Sequence, residues 1–511
     1  MNKIVTKEQF KSIRQEFKTL KRTVVLCHGV FDLVHPGHII YFEQAKNMGD
    51  ILVVSVTAAK YVRKGPGRPY FDDEMRLKFL AAIGCIDYVM LSEGFTADDV
   101  IEAVEPDLYV KGQEYAKAEN DLTGMIGEEV RLVQEHGGEV AYTSGQVFSS
   151  TKLINHALPA LSGEVKEYME QFHRKYGMED IKNYAEAMKE LKVLVVGDVI
   201  IDEYIYCRVQ GMMSKDMGYS ARYKYAERYL GGALAIARHL ASFSDNLTLM
   251  SVVGTEESLH SRMLDDLSGS MRLDLVYSPE YATIVKSRYV SVNEKREEVD
   301  KIFAVNNLPD PMKIDKETMD TFKQRLSEKI GQYDVVVLCD FGHGLVDREV
   351  MEIIQKDAKF LALNCQTNSS NFGKNIITKY RRADVFVLDQ KELSLAFPDY
   401  HQGEAEEEAL VSLAEHFGSH GWLTQGSKGA VCVEGNEVKP CPAFTLKVKD
   451  TIGAGDAFFA LASLSVAAGA PAEVGTFMGN IAGALAANIV GNKESVEKVN
   501  VLKYASTLLN I

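Results

Sequence analysis

The sequence predicts an α/β protein of two domains, and three observations lead there. Arg22–His28 and Lys192–Asp198 are short apolar runs rich in β-branched residues that end on polar or glycine residues. Each has the character of the buried first strand of a parallel sheet. After both, helical and strand periodicities alternate along the chain. Between them, Ser162–Leu191 is charged and helical in period, as a connecting helix pair would be. The expected organisation is a first domain over residues 1–158, a helical linker over 159–189 and a second domain over 190–511. A length of 511 residues alone suggests three domains, at roughly 150 residues each. The absence of an internal repeat and the presence of only two opening strands favour one small and one large domain.

Composition narrows the function classes. Hydrophobic residues make up 46% and charged residues 25%, as in ordinary globular proteins. Lys plus Arg is 57 against 72 Asp plus Glu, a net charge of −15 that argues against a global nucleic-acid partner. Small anionic substrates stay open, because a few local cations and backbone amides suffice to bind them. The seven cysteines are widely spaced, with no C-x-x-C, which disfavours a disulfide framework or structural zinc. The N-terminus lacks an apolar signal core, and the apolar run Ala457–Ala470 is too short to span a bilayer. A cytoplasmic protein with no membrane partner is expected.

The first strand runs into His28-Gly29-Val30-Phe31-Asp32-Leu33-Val34-His35-Pro36-Gly37-His38. Gly29 permits close approach of the backbone to a phosphate, with Phe31 beside it. Pro36 suits a first helical turn, so His35 and His38 stand at a helix N-terminus, where two imidazoles can serve one phosphate. Zinc would need further ligands that the neighbourhood does not offer. Downstream lie the basic glycine-rich stretch Lys64–Arg68, a helix carrying Arg76, the strand end Val110–Tyr115, and Phe148–Ile154. In the last of these, Ser149, Ser150 and Thr151 form an N-cap and anion cradle.

Together these residues resemble the cytidylyltransferase-like nucleotidyltransferases, which carry H-x-G-H and a late S-[ST]-T segment. Gly29–Asp32, Gly67–Pro69 and Lys111–Tyr115 are most similar to the adenylyltransferase half of the bifunctional bacterial heptose-phosphate kinase/adenylyltransferases. The resemblance implies a Rossmann-like domain in which a sugar-phosphate oxygen attacks the α-phosphorus of ATP or CTP and pyrophosphate leaves. His35, His38 and Lys64 would be catalytic; Gly29, Phe31, Arg76, Ser149, Ser150 and Thr151 would bind the nucleotide; and Mg2+ would bridge its phosphates.

The strongest pattern in the second half is Asp450-Thr451-Ile452-Gly453-Ala454-Gly455-Asp456-Ala457-Phe458 before a small-residue apolar helix. Glycines at a helix start expose amides to a migrating phosphoryl group, and a carboxylate beside them can take a proton from a hydroxyl. This stretch resembles the signature of the PfkB, or ribokinase-like, carbohydrate kinases. Gly197-Asp198 with Asp202, the diglycine Gly231-Gly232, and Thr424-Gln425-Gly426-Ser427-Lys428-Gly429 agree with it, and Thr283–Arg288 looks like the heptose-phosphate branch. The resemblance implies an α/β/α kinase with a small β lid. Asp456 would be its general base and the amides of Gly453, Ala454 and Gly455 its anion hole. Thr424, Gly426 and Gly429 would meet ATP; Asp198, Asp202, Gly231, Gly232, Lys286, Arg288 and Asn364 would meet substrate; and Glu392 would join the Mg2+ network. Tyr219, Ala221, Tyr223 and Tyr225 alternate along a strand, an aromatic face suited to a lid that pairs with a second copy, so a homodimer is expected.

Departures from the kinase pattern cluster around the pocket: Ala235 for an asparagine, Asn364–Asn368 at a strand end, Asp389–Glu392, and Asn492–Ser495. They fit either a different sugar substrate or a kinase-like half that binds or dimerises without turnover. Together the two halves imply a sugar-activating enzyme for glycan precursors, with the transferase half first, the reverse of the heptose enzyme.

Overall fold

The computed structural model of the chain describes all residues except 1–2, 63–67, 113–125, 144–161, 216, 256–266, 268, 294–297, 310–312, 369, 399–405, 446–447 and 511. It comprises two compact units, Met1–Glu170 with Leu502–Ile511, and Gln171–Val501. Each half is α/β, as the alternating periodicities require.

In the first unit, β1 (Val24–Gly29), β2 (Ile51–Thr57), β3 (Tyr88–Ser92), β4 (Leu108–Lys111) and β5 (Glu139–Tyr142) form one sheet in the order β3-β2-β1-β4-β5. All neighbours are parallel. The Val24–Cys27 part of β1 is apolar because both faces are covered: Val25 and Cys27 join one core cluster, Val24 and Leu26 the other. The strand order reverses between β1 and β4. Such a switch point opens a crevice beyond the carboxyl ends of the strands, and the histidine motif follows β1 directly into it.

The second unit carries a nine-stranded sheet in the order β10-β9-β6-β13-β14-β15-β16-β17-β18. Its strands are β6 (Lys192–Gly197), β9 (Asn246–Gly254), β10 (Arg272–Ser278), β13 (Val335–Asp340), β14 (Leu361–Cys365), β15 (Val385–Asp389), β16 (His420–Thr424), β17 (Ala430–Glu434) and β18 (Glu437–Cys441). Only the last two run antiparallel to their neighbours. A separate sheet, β12-β11-β7-β8, is built from β7 (Val199–Met212), β8 (Tyr219–Gly232), β11 (Ile284–Asn293) and β12 (Glu298–Asn307). The helices Ala454–Ala467 and Ala472–Ala486 are buried nearly all round, which explains their lack of a polar face. Small residues let them pack closely: a Cβ on Gly475 would lie 2.9 Å from Trp422, and one on Gly479 would lie 2.9 Å from Phe458. Trp422, the single tryptophan, is fully buried and its indole Nε1 donates to Thr476 Oγ1 at 2.8 Å. Among the described residues no helix is long and apolar enough to cross a membrane.

Helices Gly163–His173 and Met178–Glu190 occupy the charged segment between the two opening strands. In β8, Tyr219, Tyr223 and Tyr225 are exposed and so do not form a core face; Tyr225 stacks on buried Tyr206 at 4.5 Å.

Candidate functional site

In the first unit, His35 caps the helix Pro36–Lys46. Its Nδ1 accepts from Gly37 N at 3.1 Å, and His38 Nδ1 accepts from His35 N at 3.4 Å. Both rings therefore keep their proton on Nε2 when neutral, a donor suited to phosphate oxygen. The rings lie 4.0 Å apart, and burial lowers the pKa of His35. Asp32 accepts from Tyr70 N at 2.7 Å and Phe71 N at 3.0 Å and pairs with Arg68 at 3.5 Å, fastening the start of the next loop to the motif.

One expectation changes here. The resemblance puts Arg76 at the phosphates, but it is wholly buried. Its Nη1 donates to Val30 O and Thr57 O, both at 2.8 Å, and Nη2 pairs with Asp73 at 2.5 Å. It ties the end of β2 to the loop after β1, because the helix Asp73–Ala81 turns this side chain inward. Gly29 lies beside the Phe31 ring, 3.0 Å from where a Cβ would sit, so a side chain there would crowd the ring. Phe31 itself has φ +44 and meets His38 edge-on at 5.4 Å. Lys64, Ser149, Ser150 and Thr151 lie outside the described residues.

His28, which opens the motif, is held by hydroxyls of β2. Nδ1 sits 2.9 Å from Ser55 Oγ and Nε2 3.2 Å from Thr57 Oγ1, and burial pushes its pKa down to about 4. Lys111, at the end of β4, pairs with Glu129 at 2.8 Å, and Tyr109 donates to the same carboxylate at 3.0 Å.

The second unit gathers its polar residues at the carboxyl ends of β6, β13 and β14, again where the strand order reverses. Asp198 follows β6. It is 2% exposed, accepts from His343 N at 3.4 Å, and burial raises its carboxyl to about 7. Asp202 pairs with Arg288 across β7 and β11, where Lys286 stands in register opposite Asp202. Lys286 lies in the field of Asp202, Asp198 and Asp456, while burial pulls its pKa down. The diglycine has a packing cause. A Cβ on Gly231 would lie 2.5 Å from Asp202 Oδ2. Gly232 has φ +55, and a Cβ there would lie 2.6 Å from Asp198 O. Both glycines thus make room for the acidic pair.

Asp456 stands in the first turn of the helix Ala454–Ala467, where the leading amides have no acceptor within the helix. Gln366 Nε2 donates to its Oδ1 at 2.9 Å, and burial pushes its carboxyl up to about 6. Gly453 caps this helix at φ +82, and a Cβ would lie 1.8 Å from Asn492 Oδ1, so no other residue fits. Thr424 ends β16, and Gly426 and Gly429, at φ +59 and +105, shape the turn that follows. A Cβ on Gly429 would meet Cys441 O at 2.1 Å. Asp389 caps the helix Gln390–Ala396, and Glu392 completes the capping box, accepting from Asp389 N at 3.0 Å and also from Thr367 N at 2.9 Å. Burial, then Asp389 and Asp456, raises its pKa, an excess of negative charge that suits a divalent cation held jointly with phosphates. Among the described residues no group of three acidic, histidine or cysteine side chains is arranged to hold a metal alone.

Three buried groups at these strand ends have polar atoms with no protein partner among the described residues: Asp198 Oδ1, both ring nitrogens of His343, and Asn364 Oδ1. His343, in the Phe341–Gly344 segment, is not singled out by the sequence, and Gln366 enters there only as part of the divergent Asn364–Asn368 stretch. Both residues are recognisable only once the strand ends converge.

The model of the pfkB family carbohydrate kinases matches residues 190–499, more than half of the chain. The chain belongs to this family of carbohydrate kinases. A cytidylyltransferase-like model matches residues 26–156. Among curated relatives, the bifunctional protein HldE of Koribacter versatilis is 37% identical over 155 residues, 30% of each chain. That of Trichlorobacter lovleyi is 34% identical over 168 residues, 32% of each. The chain thus spans about a third of the length of the curated relatives it matches. Phosphofructokinase-2 from Escherichia coli shares the fold of this pfkB-family chain, with a TM-score of 0.50 and 15% identity over 62% of this chain and 98% of that one.

Proposed function

We propose that this pfkB-family chain is a bifunctional sugar-activating enzyme: it phosphorylates a sugar or sugar phosphate with ATP and transfers a nucleotidyl group from ATP or CTP to a sugar phosphate. The observation that carries the kinase half is the convergence of partnerless polar atoms on Asp198, His343 and Asn364. A polyol would satisfy them. Lys286 and Arg288 beside them suit a phosphate already on the sugar. The substrate hydroxyl oxygen attacks the γ-phosphorus of ATP, Asp456 takes the hydroxyl proton, and the β–γ bridging oxygen leaves with ADP. Amides of Gly453, Ala454 and Gly455 hold the moving phosphoryl oxygens, and Thr424 to Gly429 line the nucleotide's place. Glu392 would help to hold Mg2+ together with the phosphates, and the ion would neutralise phosphate charge.

In the first unit the sugar-phosphate oxygen attacks the α-phosphorus, and pyrophosphate leaves. His35 and His38 donate from Nε2 to the phosphates, with Lys64 and the Ser149–Thr151 hydroxyls as further anchors. The HldE relatives support a heptose-phosphate-like sugar and a place in glycan-precursor synthesis. A second copy pairing across the exposed tyrosines of β8 completes the reading. The family match and the intact Asp456 environment do not favour a C-terminal half that merely binds.

The test is product analysis by mass after incubation with ATP or CTP and a panel of sugars and sugar phosphates. Asp456→Asn is expected to abolish sugar phosphorylation alone, and His38→Ala pyrophosphate release alone. No phosphorylated product from any acceptor would sink the kinase half, and loss of both activities in either variant would contradict separate sites.

A further inference from the structure

Asp450 begins the loop that leads into the helix Ala454–Ala467, and its carboxylate is buried. Four donors reach it from three places. Tyr204 Oη on β7 donates to Oδ2 at 2.8 Å, and the Lys301 ammonium on β12 lies 3.2 Å from Oδ1. Ile452 N, in the loop itself, donates to Oδ1 at 3.1 Å, and Gly491 N donates to Oδ2 at 3.2 Å. β7 and β12 belong to the separate four-stranded sheet, so one carboxylate joins that sheet to the 450–453 loop and to the 490–493 turn. Packing follows the same route. Tyr204, Tyr206, Tyr229 and Val290 form a buried cluster against which Ile452 and Val490 pack. A Cβ on Gly491, at φ +60, would lie 2.7 Å from the Tyr229 ring, and Asn492 backs Gly453 at the anion hole. Of the four donors only Lys301 carries a charge. Its side chain is 41% exposed and that of Asp450 1% exposed, so the pair meets solvent at the ammonium. Arg288 lies in the field of Asp450 but is paired with Asp202. A buried carboxylate deprived of its cation is costly, and neutral donors alone hold it less firmly.

We propose that Lys301 is a positioning residue for phosphoryl transfer: from β12 it supplies the cation that fixes Asp450, and through Asp450 it sets the amides of Gly453, Ala454 and Gly455. Lys301 acts through that carboxylate and not on the reacting atoms. The same sheet carries the acceptor's side of the site, with Asp202 on β7 two residues before Tyr204, and Lys286 and Arg288 on β11. A sugar phosphate that orders these strands therefore also seats the anion hole, so acceptor binding and readiness for the γ-phosphate of ATP are linked through one buried acid. This kinetic consequence rests on the kinase reading above; the latch between the sheet and the 450–453 loop does not.

The test uses the full chain as wild type, Lys301→Met and Lys301→Arg, with Tyr204→Phe as an independent variant that keeps the ring and removes only the hydroxyl donor. In hydrogen–deuterium exchange without ligands, the 450–456 and 490–493 segments of Lys301→Met are expected to exchange at least about fivefold faster than in wild type, with Lys301→Arg within about twofold. Tyr204→Phe is expected to loosen the same two segments. Unchanged exchange there in Lys301→Met, or faster exchange spread evenly over the whole unit, would overturn the latch. With ATP and the acceptor that gives most product in the panel above, kcat of Lys301→Met is expected to fall about tenfold while the KM for acceptor stays within about threefold. An unchanged kcat, or a loss confined to KM, would overturn the positioning role. A wild type that phosphorylates nothing in that panel would refute the kinase reading, while the exchange measurement still decides the latch.

Discussion

Asp456→Asn separates what the carboxylate does for chemistry from what it does to stability. The folded protein holds this carboxyl at about 6 instead of 3.8, chiefly through burial, with Asp202 adding to the rise and Gln366 and Lys286 opposing it. A shift of roughly two units corresponds to about 3 kcal/mol at about 1.36 kcal/mol per unit. Because the folded pKa is raised, the protonated native state is favoured at low pH. That stability is fully present below the unfolded value near 3.8 and is lost as pH rises through about 6. Above pH 6 the wild type therefore carries a destabilising buried charge that asparagine removes, while the Gln366 amide can still bond to the new carbonyl. Residual solvent contact at the cleft reduces the gain, so about 1–3 kcal/mol is expected at pH 8. Urea denaturation at pH 8 and pH 4 measures it: the variant should be more stable at pH 8 and indistinguishable near pH 4. Its rate of sugar phosphorylation should fall about 100-fold or more. A variant less stable than wild type at pH 8 would refute the reasoning, because Asp456 would then be gaining more from its partners than burial takes away.

Three further outcomes follow from the same geometry. Arg288→Met strands the buried Asp202 carboxylate and should destabilise the C-terminal unit by about 3–5 kcal/mol, with the double variant carrying Asp202→Asn recovering part of it in denaturation. Arg76→Leu removes the clamp on Val30 and Thr57 and should lower the stability of the N-terminal unit in urea denaturation by about 3 kcal/mol. The KM for nucleotide triphosphate in the folded fraction should be unchanged; a raised KM with unchanged stability would return Arg76 to the phosphates. His28, held down to about 4 by burial, should show no ring titration by NMR between pH 8 and pH 5. Its folded pKa is depressed, so the stability it contributes is present above its ordinary value and fades as pH falls towards 4, and a midpoint near 6.5 would contradict the burial argument.

How far the sequence reached depended on what kind of fact was being read. β1 and β6 announced themselves because a strand covered on both faces must be apolar along its length. His35 and Asp456 were legible because helix starts carry local chemistry: a proline at the first turn, glycines before an acid. What stayed hidden depends on tertiary direction. Arg76 and an exposed arginine look alike in a helical stretch, and only packing decides that this one turns inward to Val30 O. That the Phe31 ring folds back over Gly29 is likewise a matter of packing that the motif does not announce. His343 sits in a segment without a recognisable pattern and Gln366 in one that departs from the kinase pattern; their importance comes from atoms left without partners, or aimed at Asp456, once β13 and β14 lie side by side.

The lone tryptophan has a spectroscopic consequence. Trp422 is sealed inside the C-terminal unit, its indole fixed to Thr476. The first unit has only tyrosine and phenylalanine fluorophores. Emission excited selectively at the indole band therefore watches one unit alone. A melt followed at that wavelength beside one followed by far-ultraviolet dichroism will separate into two transitions wherever the halves unfold independently, and coincide where they do not. The molecule thus carries a built-in probe for whether its two chemistries share one fate on heating.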